Sequence, residues 1–216
     1  SLWKSGLVVL TWGNVSGVDR EAGLMAIKPS GVSYSLLKPS DIVLVRLSDG
    51  QAVDSALRPS SDTPTHLKLY QAWPEIGGVT HTHSRVATAW AQTRLPIPCY
   101  GTTHADSFHG PVPCARPLTK EEVDRDYEGE TGNLIVKTME GTDCLHVPAI
   151  LLSCHGPFTW GKTPEKAVEN AIILEEVAAM ALTTRQISPD ALPCPMHISE
   201  KHFQRKHGKN AYYGQK

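Results

Sequence analysis

The stretch Ile76-Gly77-Gly78-Val79-Thr80-His81-Thr82-His83 runs directly into Ser84–Thr93, and this junction indicates the class of fold. The first segment is short and contains the β-branched residues that strands favour, whereas Ser84–Thr93 has the apolar spacing of a helix. Strands and helices interspersed in one chain are typical of a layered domain. The junction therefore predicts an α/β or α+β architecture.

The rest of the chain repeats this mixture of short strands and helices. Further strands are predicted at Leu7–Thr11, Leu24–Ile27, Ile42–Leu47, Leu134–Lys137 and Ala149–Ser153. Further helices are predicted at Pro64–Trp73, Lys120–Tyr127, Pro164–Arg185 and Glu200–His207. Thr119, in a capping box with Glu122, and Thr163, ahead of Pro164, are expected to begin two of these helices. Because strict alternation of strand and helix is absent, we expect a mixed or largely antiparallel sheet flanked by helices.

The composition is that of a globular protein without a preference for polyanions. The 216 residues include 21 Lys and Arg against 22 Asp and Glu, and 40% are hydrophobic. This length predicts a single domain over residues 1–216. The balanced charge argues against binding to nucleic acid or a membrane surface, and the apolar run Val147–Leu152 is far shorter than the ~18 residues of a membrane span. The chain begins at Ser1 instead of Met, so we expect its N-terminus to be incomplete.

Histidine is twice as frequent as cysteine, with ten residues against five. The cysteines are Cys99, Cys114, Cys144, Cys154 and Cys194. They form no CxxC pair, which predicts reduced thiols in a cytoplasmic protein. A metal site in this chain is therefore expected to use histidine.

His81 and His83 are the first candidate metal ligands. In a strand, the period of two residues places both side chains on the same face. Imidazole ligands suit Zn²⁺, with Mn²⁺ or Co²⁺ as rivals. The alternative is an exposed, polar edge strand, since Thr and His both tolerate that position.

His155 is the candidate for the third ligand that a catalytic zinc site needs. It follows the apolar strand Ala149–Ser153 and precedes the turn Gly156-Pro157. The alternative role of His155 is a polar residue that caps the turn. If the strand persists, Cys154 points to the opposite face and behaves as a small buried hydrophobe.

Three polar stretches predict a site for an anion. They are Thr11-Trp12-Gly13-Asn14-Val15-Ser16, Lys28-Pro29-Ser30-Gly31 and Ser60-Ser61-Asp62-Thr63-Pro64. The last one enters a helix, whose first N–H groups lack partners, while Lys28 adds a cation and Gly31 permits close backbone approach. Each stretch has a plain structural alternative, as a helix cap or a solvated turn. No P-loop or GxGxxG pattern is present, so the sequence does not support nucleotide binding.

Asp106 and Tyr213 are candidate proton-transfer groups. Asp106 lies in Gly101–Asp106, a turn-rich stretch that is expected to be a loop. Tyr213 lies in a C-terminal tail that can reach a neighbouring subunit. The alternatives are a solvated aspartate and a surface tyrosine.

Together, these motifs resemble the L-ribulose-5-phosphate 4-epimerase branch of the class II aldolase family. The matching segments, in order, are the three polar stretches, His81-Thr82-His83-Ser84, Gly101-Thr102-Thr103-His104-Ala105-Asp106, Ser153-Cys154-His155-Gly156-Pro157 and the tail Arg205-Lys206-His207-Gly208 with Tyr212-Tyr213-Gly214. The resemblance covers essentially the whole chain. It departs from the family in lacking a leading helix before Leu7–Thr11, which bears on packing and tetramer stability.

The resemblance implies a three-layer α/β/α domain with a central, mostly antiparallel sheet. It also implies a C4-symmetric homotetramer with active sites between subunits. The implied metal ligands are His81, His83 and His155, and Asp62, which lies near the metal, is included in the predicted metal site. The implied phosphate-binding residues are Asn14, Lys28, Ser30, Gly31, Ser60 and Ser61. The implied acid/base pair is Asp106 from one subunit and Tyr213 from its neighbour, and the implied lining residues are Thr102, Glu128, His202 and Arg205.

The activity implied by the resemblance is metal-dependent epimerisation of L-ribulose 5-phosphate at C4, as in arabinose or ascorbate catabolism. The mechanism is retro-aldol cleavage of the C3–C4 bond followed by recombination. The first alternative is a class II sugar-phosphate aldolase, in which a Glu typically replaces Asp62. The second alternative is a non-catalytic interaction domain of the same fold, and the three histidines argue against it.

Overall fold

A computed structural model describes residues 2–53 and 55–213 of the chain. Its centre is a sheet of eight strands in the order β4-β3-β2-β1-β5-β8-β7-β6. The strands are β1 (Asn14–Asp19), β2 (Leu24–Ile27), β3 (Val43–Arg46), β4 (Ala52–Val53), β5 (Gly78–His81), β6 (Cys114–Ala115), β7 (Ala149–Leu152) and β8 (Pro157–Gly161). Neighbouring strands are antiparallel except for β6 and β7, which run parallel. The expectation of a mostly antiparallel central sheet is therefore confirmed.

Helices cover both faces of this sheet. They are α1 (Thr63–Ala72), α2 (Arg85–Thr93), α3 (Thr102–Ala105), α4 (Lys120–Thr138), α5 (Pro164–Ile187) and α6 (Met196–His207), and a short 3-10 helix spans Pro39–Asp41. Strand β7 shows how two cores arise from one sheet. Ile150 and Leu152 pack with α1 and α4, whereas Ala149 and Leu151 pack with α2 and α5. The alternation of side chains along the strand produces the three-layer α/β/α arrangement.

Both predicted helix starts are confirmed. The Thr119 side chain accepts a hydrogen bond from the backbone N–H of Glu122, whose carboxylate accepts one from the Thr119 N–H in return. The Thr163 hydroxyl accepts a hydrogen bond from the Lys166 N–H, with Pro164 as the first residue of α5. These caps satisfy N–H groups that have no partner within the helix.

Two predicted strands are wrong. Leu7–Thr11 is irregular, because Leu10 has a φ of 56° and the chain turns there. Leu7 and Val8 still bury their side chains, in a small cluster with α5. The run is therefore apolar because its side chains are buried, although its backbone does not pair with a strand. Leu134–Lys137 lies inside α4, where Leu134 and Ile135 face the core.

Strands β1 and β8 were not anticipated from the sequence. The buried face of β1 carries Asn14 and Ser16, which are polar and hide the alternation expected of a strand. Pro157 suggested a turn, but it is the first residue of β8, a position where a strand tolerates the missing N–H.

No helix within the described part of the chain is long and apolar enough to cross a membrane.

The buried His104 of α3 makes the stability of the fold depend on pH. Burial lowers the pKa of His104 to about 4, although the hydrogen bond from its Nε2 to the Gly110 carbonyl oxygen opposes that shift. Since the unfolded side chain titrates near 6.5, the unfolded state binds more protons between pH 6.5 and 4, and stability falls as the pH falls through this window. One such group changes the unfolding free energy by up to about 3 kcal/mol across this pH range.

We expect His104→Gln to flatten the decrease in unfolding free energy between pH 6.5 and 4, because Gln keeps an N–H donor for Gly110 and does not titrate. Urea denaturation of the metal-free protein at a series of pH values measures the effect. The matched control is His197→Gln at an exposed position, which should keep the wild-type slope. A wild-type slope in His104→Gln would contradict the prediction.

Candidate metal centre and active site

Three histidines converge at the ends of the central strands. His81 is the last residue of β5, His83 follows two residues later, and His155 lies in the turn between β7 and β8. Nε2 of His83 is 3.0 Å from Nε2 of His81, and one ligand atom from each of the three residues lies within 4.8 Å of the others. With metal–nitrogen bonds of about 2.0–2.1 Å, nitrogens at the shorter distance subtend roughly 90–100° at a shared ion.

The pairing of β5 with β8 explains this convergence. His81 is opposite Phe158 in the antiparallel register, so the turn that carries His155 lies next to the end of β5. Strand β5 is in the middle of the sheet, between β1 and β8, and His81 is only 1% exposed. The alternative of an exposed edge strand is therefore wrong.

The sheet also fixes the protonation and orientation of His81. Its Nδ1 is 2.9 Å from the carbonyl oxygen of Pro157, and because a carbonyl only accepts, Nδ1 carries the hydrogen and Nε2 keeps its lone pair. The ring stacks on Phe158 at 4.2 Å between centroids. Burial lowers the pKa of His81 to about 3 and lowers the pKa values of His83 and His155 as well. Neutral imidazoles are the form that binds a metal ion.

These residues fit a divalent metal ion. Three neutral nitrogen donors converge, and one side of the group opens on a cavity of about 550 Å³. Three protein ligands with an open position are typical of a catalytic site, whereas a structural zinc site is closed by four.

Three further segments line the cavity, at residues 11–14, 28–31 and 60–62. Two of them are joined by backbone hydrogen bonds: the Ser30 N–H donates to the Arg58 carbonyl, and the Ser60 N–H donates to the Lys28 carbonyl, each at 3.0 Å. Gly13, in the first segment, has a φ of 76°, and a Cβ there would lie 2.8 Å from the carbonyl oxygen of His81. The polar stretches predicted from the sequence therefore meet beside the metal site.

Lys28 is a buried cation in this cavity. It is 5% exposed, and its Nζ donates to the carbonyl oxygens of Pro29 at 3.1 Å and Thr11 at 3.4 Å. Its Nζ also lies 5.1 Å from the centre of the Tyr34 ring. No carboxylate pairs with Lys28 within 4.0 Å in residues 2–53 and 55–213. Burial lowers the pKa of Lys28, and an anion in the cavity would compensate the buried charge.

Asn14 and Asp62 connect the anion side of the cavity to the histidine side. Nδ2 of Asn14 donates to Oδ2 of Asp62 at 2.6 Å and to Oγ of Ser60 at 3.0 Å. Because a carboxylate only accepts, this fixes the amide orientation and leaves Oδ1 of Asn14 buried and without a hydrogen-bond partner among the described residues.

Asp62 is partly buried and keeps its negative charge. Burial alone raises the pKa of its carboxyl group, but the neighbouring His81 and His66 and the hydrogen bond from Asn14 outweigh burial and lower the pKa. Its oxygens do not belong to the group of converging ligand atoms, which contains the three histidines. A role of Asp62 as a fourth ligand stays a prediction.

Asp106 and Tyr213 lie away from this cavity, in a second cluster. Asp106 follows the short helix α3, where a loop had been expected. Its carboxylate accepts from Nη2 of Arg205 at 2.8 Å and pairs with Nδ1 of His202 at 3.0 Å, and Nζ of Lys206 is 3.7 Å away. Burial raises the pKa of Asp106, but its bonds to Arg205 and His202 outweigh burial and lower the pKa.

Tyr213 belongs to the same cluster, because its ring lies 4.4 Å from the guanidinium carbon of Arg205. Thr102, which begins α3, also lies outside the lining of the histidine cavity. The tail motif ends at Gly214, which is outside the described residues. Within one chain, the candidate acid/base residues are therefore together, but apart from the candidate metal ligands.

The comparison with known families decides the classification. Residues 1–182 match the family described as Class II Aldolase and Adducin N-terminal domain. The chain belongs to this family. The family resemblance inferred from the motifs is confirmed.

Individual relatives of this family member agree with that result. L-ribulose-5-phosphate 4-epimerase UlaF of Salmonella paratyphi C (strain RKS4594) is 55% identical over 213 residues, which cover 99% of this chain and 93% of that protein. Among solved structures, an L-fuculose 1-phosphate aldolase has a TM-score of 0.82 at 28% identity, covering 94% of this chain and 90% of that one. The L-fuculose-1-phosphate aldolase of Thermus thermophilus has a TM-score of 0.69 at 25% identity, covering 89% of this chain and 93% of that one. The predicted fold class is thereby confirmed.

Two features of the site differ from the sequence analysis. Cys154 is exposed, because the strand ends at Leu152 and the turn gives Cys154 a φ of 64°. The expectation that Cys154 is a small buried hydrophobe is therefore wrong.

Tyr127 lines the cavity beside Glu128, and sequence reasoning overlooked it. Its position directly before a predicted lining residue was the available signal.

We expect His83→Asn to weaken divalent-ion binding by more than about 100-fold, because it removes one of three converging donors and even the outer partners of metal ligands contribute 10–100-fold. Isothermal titration of the metal-free protein with Zn²⁺ measures the change. Circular dichroism should show an intact fold, and His197→Asn serves as the control at an exposed histidine. Wild-type affinity in His83→Asn would exclude His83 as a ligand.

Proposed function

We propose that this chain is an L-ribulose-5-phosphate 4-epimerase that forms D-xylulose 5-phosphate. One juxtaposition carries the proposal: three neutral histidines share one cavity with the buried Lys28, which forms no ion pair within residues 2–53 and 55–213. This arrangement suits a substrate that has adjacent oxygens at one end and a phosphate at the other. The 55% identity to the Salmonella epimerase supports this choice of substrate. The chain would form one domain over residues 1–216, and the five free cysteines suit a reducing cytoplasm.

The chemistry starts from the weak acidity of the substrate. The hydrogen on C4 of a ketopentose phosphate is not acidic, so simple deprotonation does not invert that centre. Cleavage of the C3–C4 bond by a retro-aldol step does, because the aldehyde can turn and present its other face before the bond reforms. When bound, the divalent ion supplies Lewis-acid stabilisation for the negative charge that develops on oxygen.

The chain's own residues hold the two fragments in place. His81, His83 and His155 would hold the ion, and we propose Zn²⁺, with Mn²⁺ or Co²⁺ as alternatives for an all-nitrogen donor set. Lys28 supplies the cation for the phosphate, and the loops around it supply hydroxyl, amide and N–H groups. The remaining proposed phosphate-binding residues are Asn14, Ser30, Gly31, Ser60 and Ser61. The anchored phosphate would keep the aldehyde from escaping between cleavage and recombination.

We further propose that Asp106 and Tyr213 transfer the protons on opposite sides of the aldehyde. Since both contact Arg205 and lie away from the histidines of their own chain, they would reach the cavity of an adjacent subunit together. This favours a homotetramer whose active sites lie between subunits, and it revises the expectation that each residue of the pair comes from a different subunit. Thr102, Glu128, His202 and Arg205 would line the assembled site.

A class II sugar-phosphate aldolase is the second candidate. The TM-score of 0.82 to an L-fuculose 1-phosphate aldolase favours it. In this chain, however, the carboxylate after the paired serines is the short Asp62, and Asn14 holds it at 2.6 Å. A carboxylate restrained in this way is poorly suited to reach a substrate carbon as a base, which favours the epimerase.

A single assay separates these functions. Purified protein is incubated with L-ribulose 5-phosphate, after removal of metal with a chelator and again after addition of Zn²⁺. The proposal predicts metal-dependent formation of D-xylulose 5-phosphate without release of glycolaldehyde phosphate. Accumulation of glycolaldehyde phosphate and dihydroxyacetone would instead identify an aldolase, and the absence of any product would contradict both.

We expect Lys28→Met to raise KM for the sugar phosphate by about 10–100-fold, which corresponds to the loss of a charge-assisted hydrogen bond of about 1.5–3 kcal/mol. The change in kcat should be smaller, since Lys28 contacts the end of the substrate that does not react. Steady-state kinetics measure both constants. Lys137→Met, at an exposed position of α4, is the control, and an unchanged KM in Lys28→Met would remove Lys28 from the phosphate site.

We expect Asp106→Asn to reduce epimerisation by about 100-fold or more, in line with the usual contribution of a general acid or base. Some C3–C4 cleavage should remain, because the metal and phosphate sites are intact. The ratio of glycolaldehyde phosphate to D-xylulose 5-phosphate measures this partition. Asp49→Asn, in an exposed ion pair with Arg46, is the control, and wild-type epimerisation by Asp106→Asn would contradict the proposed role.

A further inference from the structure

Helix α4 breaks in front of the cavity. Asp126 has a φ of −167° and a ψ of 86°, so its backbone is extended, and the helix resumes after it. The break separates an exposed first half from a second half that buries Leu134 and Ile135 against the sheet. Tyr127 and Glu128, which follow the break directly, line the cavity.

Specific side chains hold this break in place. Oδ1 of Asp126 accepts a hydrogen bond from the N–H of Gly129 at 3.2 Å, so Asp126 caps the second half of the helix. A Cβ on residue 129 would lie 2.0 Å from Oδ2 of Asp126, which explains the glycine. The hydroxyl of Thr131 donates to the carbonyl oxygen of Tyr127, and that of Thr65 to the carbonyl oxygen of Glu128, each at 2.7 Å. The backbone that carries Tyr127 is therefore held on both sides.

The Tyr127 side chain reaches from this backbone to a candidate metal ligand. Its hydroxyl lies 3.4 Å from Nδ1 of His155, at the long end of the hydrogen-bonding range. The two ring centroids are 6.3 Å apart, with 34° between the ring planes. In the part of the chain that the structure describes, this hydroxyl is the hydrogen-bond partner of the His155 ring.

His155 needs such a partner more than His81 does. His81 is part of a central strand, and the Pro157 carbonyl fixes its Nδ1. His155 belongs to a turn, next to Cys154 with its φ of 64°, and no backbone carbonyl accepts from its ring within the described residues. Metal-binding histidines usually depend on a partner at the second ring nitrogen to fix the tautomer and the ring orientation.

We propose that Tyr127 is a positioning residue of the metal centre. Its hydroxyl oxygen accepts a hydrogen bond from Nδ1–H of His155, which leaves Nε2 of His155 directed at the ion. The capped break in α4 is the device that brings the phenol to this place. This inference rests on the proposed histidine metal site, but not on the identity of the substrate.

The test measures metal binding in the full-length protein, independently of activity. Tyr127→Phe keeps the ring and removes the hydroxyl, so we expect the dissociation constant for Zn²⁺ to rise by about 10–100-fold, the usual effect of losing an outer partner of a ligand. Competition with a chromophoric chelator gives this constant. The visible absorption of the Co²⁺-loaded variant should also change, because the ligand field depends on the orientation of His155. Tyr212→Phe, at an exposed tyrosine, is the matched control and should leave both readouts unchanged.

Tyr127→Leu separates positioning from packing. If the ring served only to fill space, Tyr127→Phe would match the wild type in both readouts and only Tyr127→Leu would weaken binding, which would overturn the proposal. Equal loss of affinity in both variants, with intact circular dichroism, supports it. Failure of the wild-type protein to bind Zn²⁺ would overturn the metal centre itself, and this inference with it. If the wild-type protein binds Zn²⁺ and Tyr127→Phe has the same dissociation constant and the same Co²⁺ absorption, this inference alone is overturned.

Discussion

The antiparallel pairing of β5 with β8 is the constraint on which the site depends. It places His81 opposite Phe158, and it brings the turn with His155 to the end of β5. The same contact supplies the Pro157 carbonyl that fixes the tautomer of His81. A shift of this register by one residue would direct His81 to the opposite face of the sheet and separate the three imidazoles. The candidate metal centre is therefore a property of the central sheet.

Burial determines the charges of the site. The histidines stay neutral because charging them inside the protein is costly, and the same cost leaves Lys28 in need of an anion. Beneath the site, the hydroxyl of Ser16 lies 2.7 Å from Nδ1 of His66 and 2.8 Å from the hydroxyl of Tyr70, in a fully buried network. The cavity thus holds the neutral histidines, the charged Asp62 beside them, and Lys28, which has no carboxylate within 4.0 Å among the described residues. These groups suit a substrate that has oxygen donors at one end and a phosphate at the other.

The sequence was most informative where a local pattern determines structure. The short apolar or β-branched runs of β5 and β7, the caps at Thr119 and Thr163 and the pair His81 and His83 were all predictable. Strand β1 was not, because its buried face carries polar residues of the site, whose role overrides the usual alternation. The break at Asp126 was not predicted either, although Asp126 caps Gly129 only three residues away. The contact of Tyr127 with His155 escaped prediction because these residues are far apart in the chain. The separation of Asp106 from the histidines required the three-dimensional fold.

The central claim is that three imidazoles from the ends of two neighbouring strands hold one divalent ion. X-ray absorption spectroscopy of the zinc-loaded protein tests it most directly, because the fine structure reports the type, number and distance of the ligands. The account predicts one ion per chain with nitrogen and oxygen ligands near 2.0–2.1 Å and the scattering pattern of three imidazoles. A sulfur ligand near 2.3 Å, such as the exposed thiol of Cys154 would provide, or fewer than two imidazoles, would contradict it.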